Sequence, residues 1–285
     1  MKKILCPTDF SDTANKALEY AVLIAKQAGA HLTLLHVIHL PIVDTSEMAL
    51  VAGELLNEQL QDSKERLVKL CQFIEAQHGA NQQAGGFTCD YIVKEALLTD
   101  IVKDLTNLEG FDLIVMGTTG VNSTLEEILV GSNTEAVIEE VKCPVLSVPA
   151  SAPTPQIKNI VYASDYMPED RTALDEVVEL GRLFGAPVNV VHVVKEQTQE
   201  GSAKAEQFWN ELQQHFSGVP MRFQEVVSAH RADGLRRYYR EANGSMLAML
   251  RKDKGFFAEL FSQSLAERMT HEAEVPLLVL HGKRP

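Results

Sequence analysis

The sequence has no apolar run approaching the ~18 residues that a membrane-spanning helix needs, so a membrane is not an expected partner. Cysteine is scarce. The four thiols, Cys6, Cys71, Cys89 and Cys143, all fall in the first half, and none forms a C-x-x-C pair. A disulfide scaffold or a zinc ribbon is therefore not expected, and reduced, buried thiols in a cytoplasmic protein are the simplest reading. Positive charge is short as well: 26 Lys and Arg face 39 Asp and Glu, for a net charge of −13. A chain binding a nucleic-acid backbone would show the opposite balance. The deficit lies mainly in residues 1–150, with 10 basic and 21 acidic side chains, against 16 and 18 in residues 151–285. Solvated helix faces account for most of those acids. The opening MKKILCPTDF lacks the ~7–15-residue apolar core of a secretory leader and reads as a strand. G-x-S-x-G, H-E-x-x-H and P-loop patterns are missing too, so those three chemistries have no support in the sequence.

What is present is a repeat. Residues 3–38 align without a gap on residues 159–194 at an offset of 156. Ile4, Asp9, Ala17, Leu18, Val22, Gly29, Ala30, His36 and Val37 meet identical residues at Ile160, Asp165, Ala173, Leu174, Val178, Gly185, Ala186, His192 and Val193. The copies end alike, in CPVLSV from Cys143 and VPLLVL from Val275, and SAPTPQ at residues 151–156 reads as the linker. Two domains are expected, at residues 1–150 and 157–285.

Each copy alternates short apolar runs with helical patterns. In the first, Ser11 or Asp12 caps a helix that stops at Gly29, and a long amphipathic helix spans residues 46–78 with Leu55, Leu56, Leu60, Leu67 and Leu70 as its stripe. The strands read as KILCPT, HLTLLHVI, TCDYIVK, FDLIVMG and CPVLSVP. The second copy has a shorter middle helix, around residues 203–216. Such alternation predicts an α/β fold, with a five-stranded parallel sheet in each copy and helices on both faces. All five strands are expected to be buried runs.

In open α/β sheets ligands bind beyond the carboxyl ends of the strands, where strand order reverses. Two loops fall there: Pro7-Thr8-Asp9-Phe10-Ser11 after strand one, and Gly117-Thr118-Thr119-Gly120 after strand four, the latter followed by Gly131-Ser132-Asn133-Thr134. Glycines let backbone N–H groups close on phosphate oxygens. Ser132 and Thr134 add hydroxyls, and a helix N-terminus favours negative charge. By itself G-x-x-G equally describes a tight strand-to-helix turn. His36 and His192 recur at one strand position, which suits a structural role, and Cys6 suits the core. His230, His271 and His281 leave a metal site undecided.

The segments ILCPTDFSDTANKALEYA, LTLLHVI, FDLIVMGTTG, LEEILVGSNTEAVI and CPVLSVP resemble the universal stress protein family along nearly the whole first copy, and more weakly along the second. The resemblance implies two tandem Rossmann-like domains of the adenine nucleotide alpha hydrolase-like kind, each with strand order 3-2-1-4-5. It also implies a site for ATP, with or without Mg2+. Pro7, Thr8 and Asp9 would contact ribose and adenine, and the Val37 backbone the adenine. Gly117, Thr118, Gly120, Gly131, Ser132, Asn133 and Thr134 would hold the phosphates. The family pattern places nine residues between the second glycine and Gly-Ser; here ten separate Gly120 from Gly131. The second copy keeps Asp165 and Val193 but carries Leu250-Arg251-Lys252-Asp253 in place of the glycine loop, and Gln263 and Ser264 in place of Gly131 and Ser132. Its site is degenerate.

The resemblance implies a nucleotide-binding regulatory protein of the stress response. Its two domains would pair as a pseudo-dimer through their fifth strands, and a homodimer of chains is a further expectation. Two alternatives stay open: a slow ATPase or autokinase using Asp9 and Ser132 or Thr134, and a nucleotide-free protein-interaction scaffold.

Overall fold

The computed structural model describes residues 1–38, 46–78, 87–118, 132–251 and 275–282. The chain divides into two compact units. The first runs β1 (Lys3–Pro7), α1 (Asp12–Ala28), β2 (His31–Ile38), α2 (Ser46–His78), β3 (Thr88–Glu95), α3 (Leu98–Glu109), β4 (Leu113–Thr118), α4 (Ser132–Glu140) and β5 (Val145–Pro149). The second runs β6 (Ile160–Ala163), α5 (Pro168–Phe184), β7 (Val188–Val194), α6 (Gln199–His215), β8 (Met221–Val227), α7 (Arg231–Glu241), β9 (Met246–Arg251) and β10 (Leu277–His281). Strand order is β3-β2-β1-β4-β5 in the first unit and β8-β7-β6-β9-β10 in the second. All recorded pairings within each unit are parallel. The α/β fold with order 3-2-1-4-5 is thus present twice. No helix among the described residues is long and apolar enough to cross a membrane.

Local chemistry explains the elements. Ser11 is the N-cap of α1, its hydroxyl accepting from Ala14 N at 3.2 Å, and Gly29 closes the helix in the left-handed region at φ 60°. Between those ends Ala14, Ala17, Leu18, Ala21, Val22 and Ala25 bury one face, and small side chains on that stripe let the helix sit close on the sheet. Ile4, Leu5, Leu32, Leu34, Leu35 and Ile114 are fully enclosed. Each contributes about 1.5–3 kcal/mol relative to an exposed position.

Three sequence expectations need correction. β3 and β8 are not buried runs: their side chains are mostly exposed or half-buried, because each is the last strand in its unit's order. The stripe of α2 is shifted. Of the expected residues Leu67 is buried and Leu55 is 46% exposed, and among the described side chains of α2 the buried positions are Ser63, Leu67, Cys71 and Ile74, at i, i+4, i+8 and i+11. The middle helix of the second copy starts earlier, at Gln199, because Thr198 caps it by accepting from Gly201 N at 3.0 Å.

Candidate functional site

β1 pairs with β2 along its whole length, from Lys3↔His31 to Pro7↔Leu35, but with β4 at Ile4↔Leu113 and Leu5↔Ile114. Beyond Leu5 the chain enters the turn Thr8-Asp9-Phe10, which lies where the strand order reverses. Hydrogen bonds specify this turn closely. Thr8 N donates to Leu35 O at 2.8 Å, Phe10 N donates to Thr8 Oγ1 at 3.1 Å, and Ser11 N donates to Asp9 Oδ1 at 3.0 Å. His36 Nδ1 lies 2.7 Å from Thr8 O. A carbonyl oxygen only accepts, so Nδ1 carries the proton. Phe10 adopts φ 64°, a left-handed conformation that strains a bulky residue and that the surrounding contacts hold in place. Its ring rests on His36, with centroids 4.7 Å apart, and the Arg66 guanidinium from α2 covers it at 3.9 Å. Pro7 and Thr8 are buried beneath the turn, Asp9 is exposed, and Val37 is half-buried at the end of β2.

The opposite wall is β4. Gly117 and Thr118 belong to the strand itself, Gly117 level with Val148 and Thr118 with Pro149. A Cβ on Gly117 would lie 2.6 Å from Thr13 O. The missing side chain therefore admits the first turn of α1, which carries the Asp9 turn against β4. Thr134 Oγ1 donates to Gly117 O at 3.1 Å and is buried, so this hydroxyl ties α4 to β4. Ser132 opens α4, and Asn133 behind it is exposed. Gly120 and Gly131 lie outside the described residues, as does the ten-residue spacing between them.

The second copy repeats the turn. Ser164 N donates to Val191 O at 2.9 Å, Tyr166 N to Ser164 Oγ at 3.1 Å, and His192 Nδ1 to Ser164 O at 2.6 Å. Tyr166 sits at φ 60° over His192, with centroids 4.0 Å apart. The surroundings differ. Asp165 Oδ1 has Arg231 Nη1 at 3.7 Å and His192 Nδ1 at 3.8 Å. Tyr166 OH donates to Glu225 Oε1 at 2.8 Å; burial and that carboxylate push the phenol's pKa up. Leu250 and Arg251 of β9 stand where the first copy has Gly117 and Thr118. The buried Asp170 accepts from Tyr162 OH, Ser164 Oγ, Asp165 N and Met167 N at 2.7–3.2 Å. Lys252, Asp253, Gln263 and Ser264 lie outside the described residues.

Comparison with known proteins accords with this geometry. The sequence profile described as "Universal stress protein family" matches residues 1–149 and again 156–281. The chain belongs to the universal stress protein family. Universal stress protein MJ0577 of Methanocaldococcus jannaschii is 35% identical over 161 residues, covering 52% of this chain and 94% of its own length. Universal stress protein MJ0531 of the same organism is 32% identical over 153 residues, covering 52% and 81%. Universal stress protein Slr1230 of Synechocystis is 24% identical over 290 residues, covering 98% of this chain and 99% of its own, so it shares the tandem length. The crystal structure of a universal stress protein from Archaeoglobus fulgidus superposes with a TM-score of 0.70 at 20% identity, covering 98% of both chains, and supports the fold.

Sequence reasoning placed Phe10 in the loop after strand one but gave it no role, and it did not single out Arg66 or Tyr166. One signal was available: an aromatic residue follows the shared Asp in both copies, at Phe10 and Tyr166. Arg66 had no such signal, because the turn and α2 meet only in three dimensions.

Proposed function

We propose that this universal stress protein binds one adenine nucleotide, ATP, in the first unit. The site would lie between the Thr8-Asp9-Phe10 turn, Val37, the β4 end at Gly117 and Thr118, and the start of α4 at Ser132 and Asn133. Gly120 and Gly131 complete the set by the family pattern. The observation that carries the reading is the contrast between the two aspartates. Asp9 is exposed at the strand-order reversal, with Oδ1 fixed by Ser11 N at 3.0 Å. Asp165 at the matching position faces Arg231 and His192. A carboxylate held in position at the mouth of a crevice suits the hydroxyls of a ribose, whereas one already facing the Arg231 guanidinium is less available to them.

Bound nucleotide acts here as a ligand that stabilises one conformation for a regulatory role in the stress response. The burial of the Thr134 hydroxyl, given to Gly117 O, argues against that residue as a phosphoryl acceptor and favours binding over turnover. The test is thermal melting of the full chain against ATP. A ligand of the native state raises stability by RT ln(1 + [L]/Kd), about 2.7 kcal/mol at one hundred times Kd. The rise is expected in the wild type and in Asp165→Ala, and is expected to vanish in Asp9→Ala. No rise at millimolar ATP in the wild type leaves the scaffold reading standing.

A further inference from the structure

α2 and β3 each bring a thiol to their contact, away from the crevice. Cys71 Sγ and Cys89 Sγ lie 2.8 Å apart, and both are free thiols. That separation is less than an ångström beyond the ~2.05 Å of a covalent sulfur–sulfur bond. The backbone is held at the same place. Cys89 N donates to Glu75 Oε1 at 3.0 Å, and Glu75 lies four residues, about one turn, beyond Cys71 on α2. Cys71 Sγ also reaches Asp90 O at 3.5 Å. Strand and helix are thus fixed at two points, with the sulfurs at one of them. Cys71 is buried, while Cys89 on the outermost strand is half-exposed, so a small oxidant has a way in from one side. Cys6 and Cys143 are buried elsewhere in the first unit, Cys6 within β1 and Cys143 with its sulfur 3.1 Å from Phe111 O.

We propose that Cys71 and Cys89 form a reversible disulfide that staples α2 to β3, with a peroxide as the oxidant. The sulfur of Cys89 attacks one peroxide oxygen, the O–O bond breaks, and Cys89 becomes a sulfenic acid while water leaves. The sulfur of Cys71 then attacks the Cys89 sulfur and displaces the hydroxyl, which takes the remaining proton as a second water. Two thiols lose two electrons and two protons; one hydrogen peroxide is reduced to two waters. The hydrogen bond to Cys71, together with burial, holds the Cys89 pKa high. Thiolate is therefore scarce at neutral pH, and the reaction is slow but climbs with pH. The stapled helix also carries Arg66, five residues before Cys71, whose guanidinium covers Phe10. Oxidation would thus steady that cover, a consequence that rests on the nucleotide reading above, whereas the staple does not.

The test treats the reduced full chain with hydrogen peroxide between pH 7 and 9, alkylates remaining thiols, and maps peptides by mass spectrometry. A Cys71–Cys89 peptide that dithiothreitol removes is expected, with alkylatable thiols falling from four to two. Its formation rate should rise about tenfold per pH unit, as thiolate does below its pKa. Closing a loop of this length should raise the melting temperature by roughly 5–10 °C. Cys71→Ser and Cys89→Ser should each abolish both the peptide and the rise. Alkylation of both residues after peroxide overturns the proposal, as does Cys89 over-oxidised without a crosslink or joined to a second chain. ATP titration of the two redox states reads the consequence separately. A few-fold tighter binding when stapled supports the coupling. Equal affinities overturn the coupling, and no binding in either state overturns the nucleotide reading, while the mapped peptide decides the staple.

Discussion

In Gly117→Ala the new Cβ would lie 2.6 Å from Thr13 O, 2.8 Å from Thr13 C and 2.8 Å from Thr13 Cγ2. Carbon contacts settle near 3.5–4.0 Å, so β4 and the first turn of α1 must part by roughly an ångström. Neither yields freely: Gly117 is paired with Val148, and α1 is anchored by the Ser11 cap. Overpacking of this kind costs about 1–3 kcal/mol, partly offset by about 0.4–1 kcal/mol from the stiffer unfolded chain. The net loss is up to about 2.6 kcal/mol, or a fall in Tm of up to roughly 10 °C for a unit near 150 residues. Because α1 begins immediately after the Asp9 turn, ATP affinity should fall by about tenfold, equivalent to about 1.4 kcal/mol. Urea unfolding and calorimetric titration read the two effects. The control is Gly53→Ala in α2, where a Cβ meets nothing within 4 Å and the helix gains up to about 1 kcal/mol. If Gly117→Ala stabilises the protein as Gly53→Ala does, the close approach of Thr13 is not what Gly117 provides.

Asp170→Ala strips four hydrogen bonds from a buried carboxylate and leaves the Tyr162 hydroxyl buried without that acceptor; denaturant unfolding should show a loss of about 3–5 kcal/mol. Arg66→Ala removes the cation over Phe10 and should lower stability by about 0.5–1 kcal/mol, with a modest rise in the Kd for ATP by titration. Burial raises the Cys6 thiol from 9.0 to about 12, so its stabilising contribution is intact below pH 9 and is lost as pH climbs toward 12. By pH 10 that single group removes about 1.4 kcal/mol. Denaturant midpoints across pH 8–10 should show the slope shrinking by that amount in Cys6→Ala, whatever its stability at pH 8.

Much of the fold is legible in the sequence because it is local and repeated. The 156-residue offset pairs Asp9 with Asp165 and His36 with His192, and in both copies the histidine donates to the carbonyl just before the aspartate. Ser11 and Gly29 mark the ends of α1 where capping chemistry puts them. What is not legible depends on neighbours distant in sequence. Gly117 reads as a phosphate-loop glycine, yet its closest constraint is the Thr13 carbonyl, over a hundred residues away. Thr134 reads as a ligand hydroxyl, yet it donates to Gly117 O. The exposure of β3 follows from its place at the end of the strand order, and that place is set by β2, not by its own composition. The Cys71–Cys89 contact has no spacing signature, since its two members come from a helix and a strand that meet only after folding.

The most direct test of the account is the stoichiometry of ATP binding to the full chain, measured by equilibrium dialysis on the wild type, Asp9→Ala and Asp165→Ala. One nucleotide per chain in the wild type, one in Asp165→Ala and none in Asp9→Ala is the predicted pattern. Two nucleotides per chain, or a single site lost with Asp165 and kept without Asp9, would contradict the assignment of the nucleotide to the first unit.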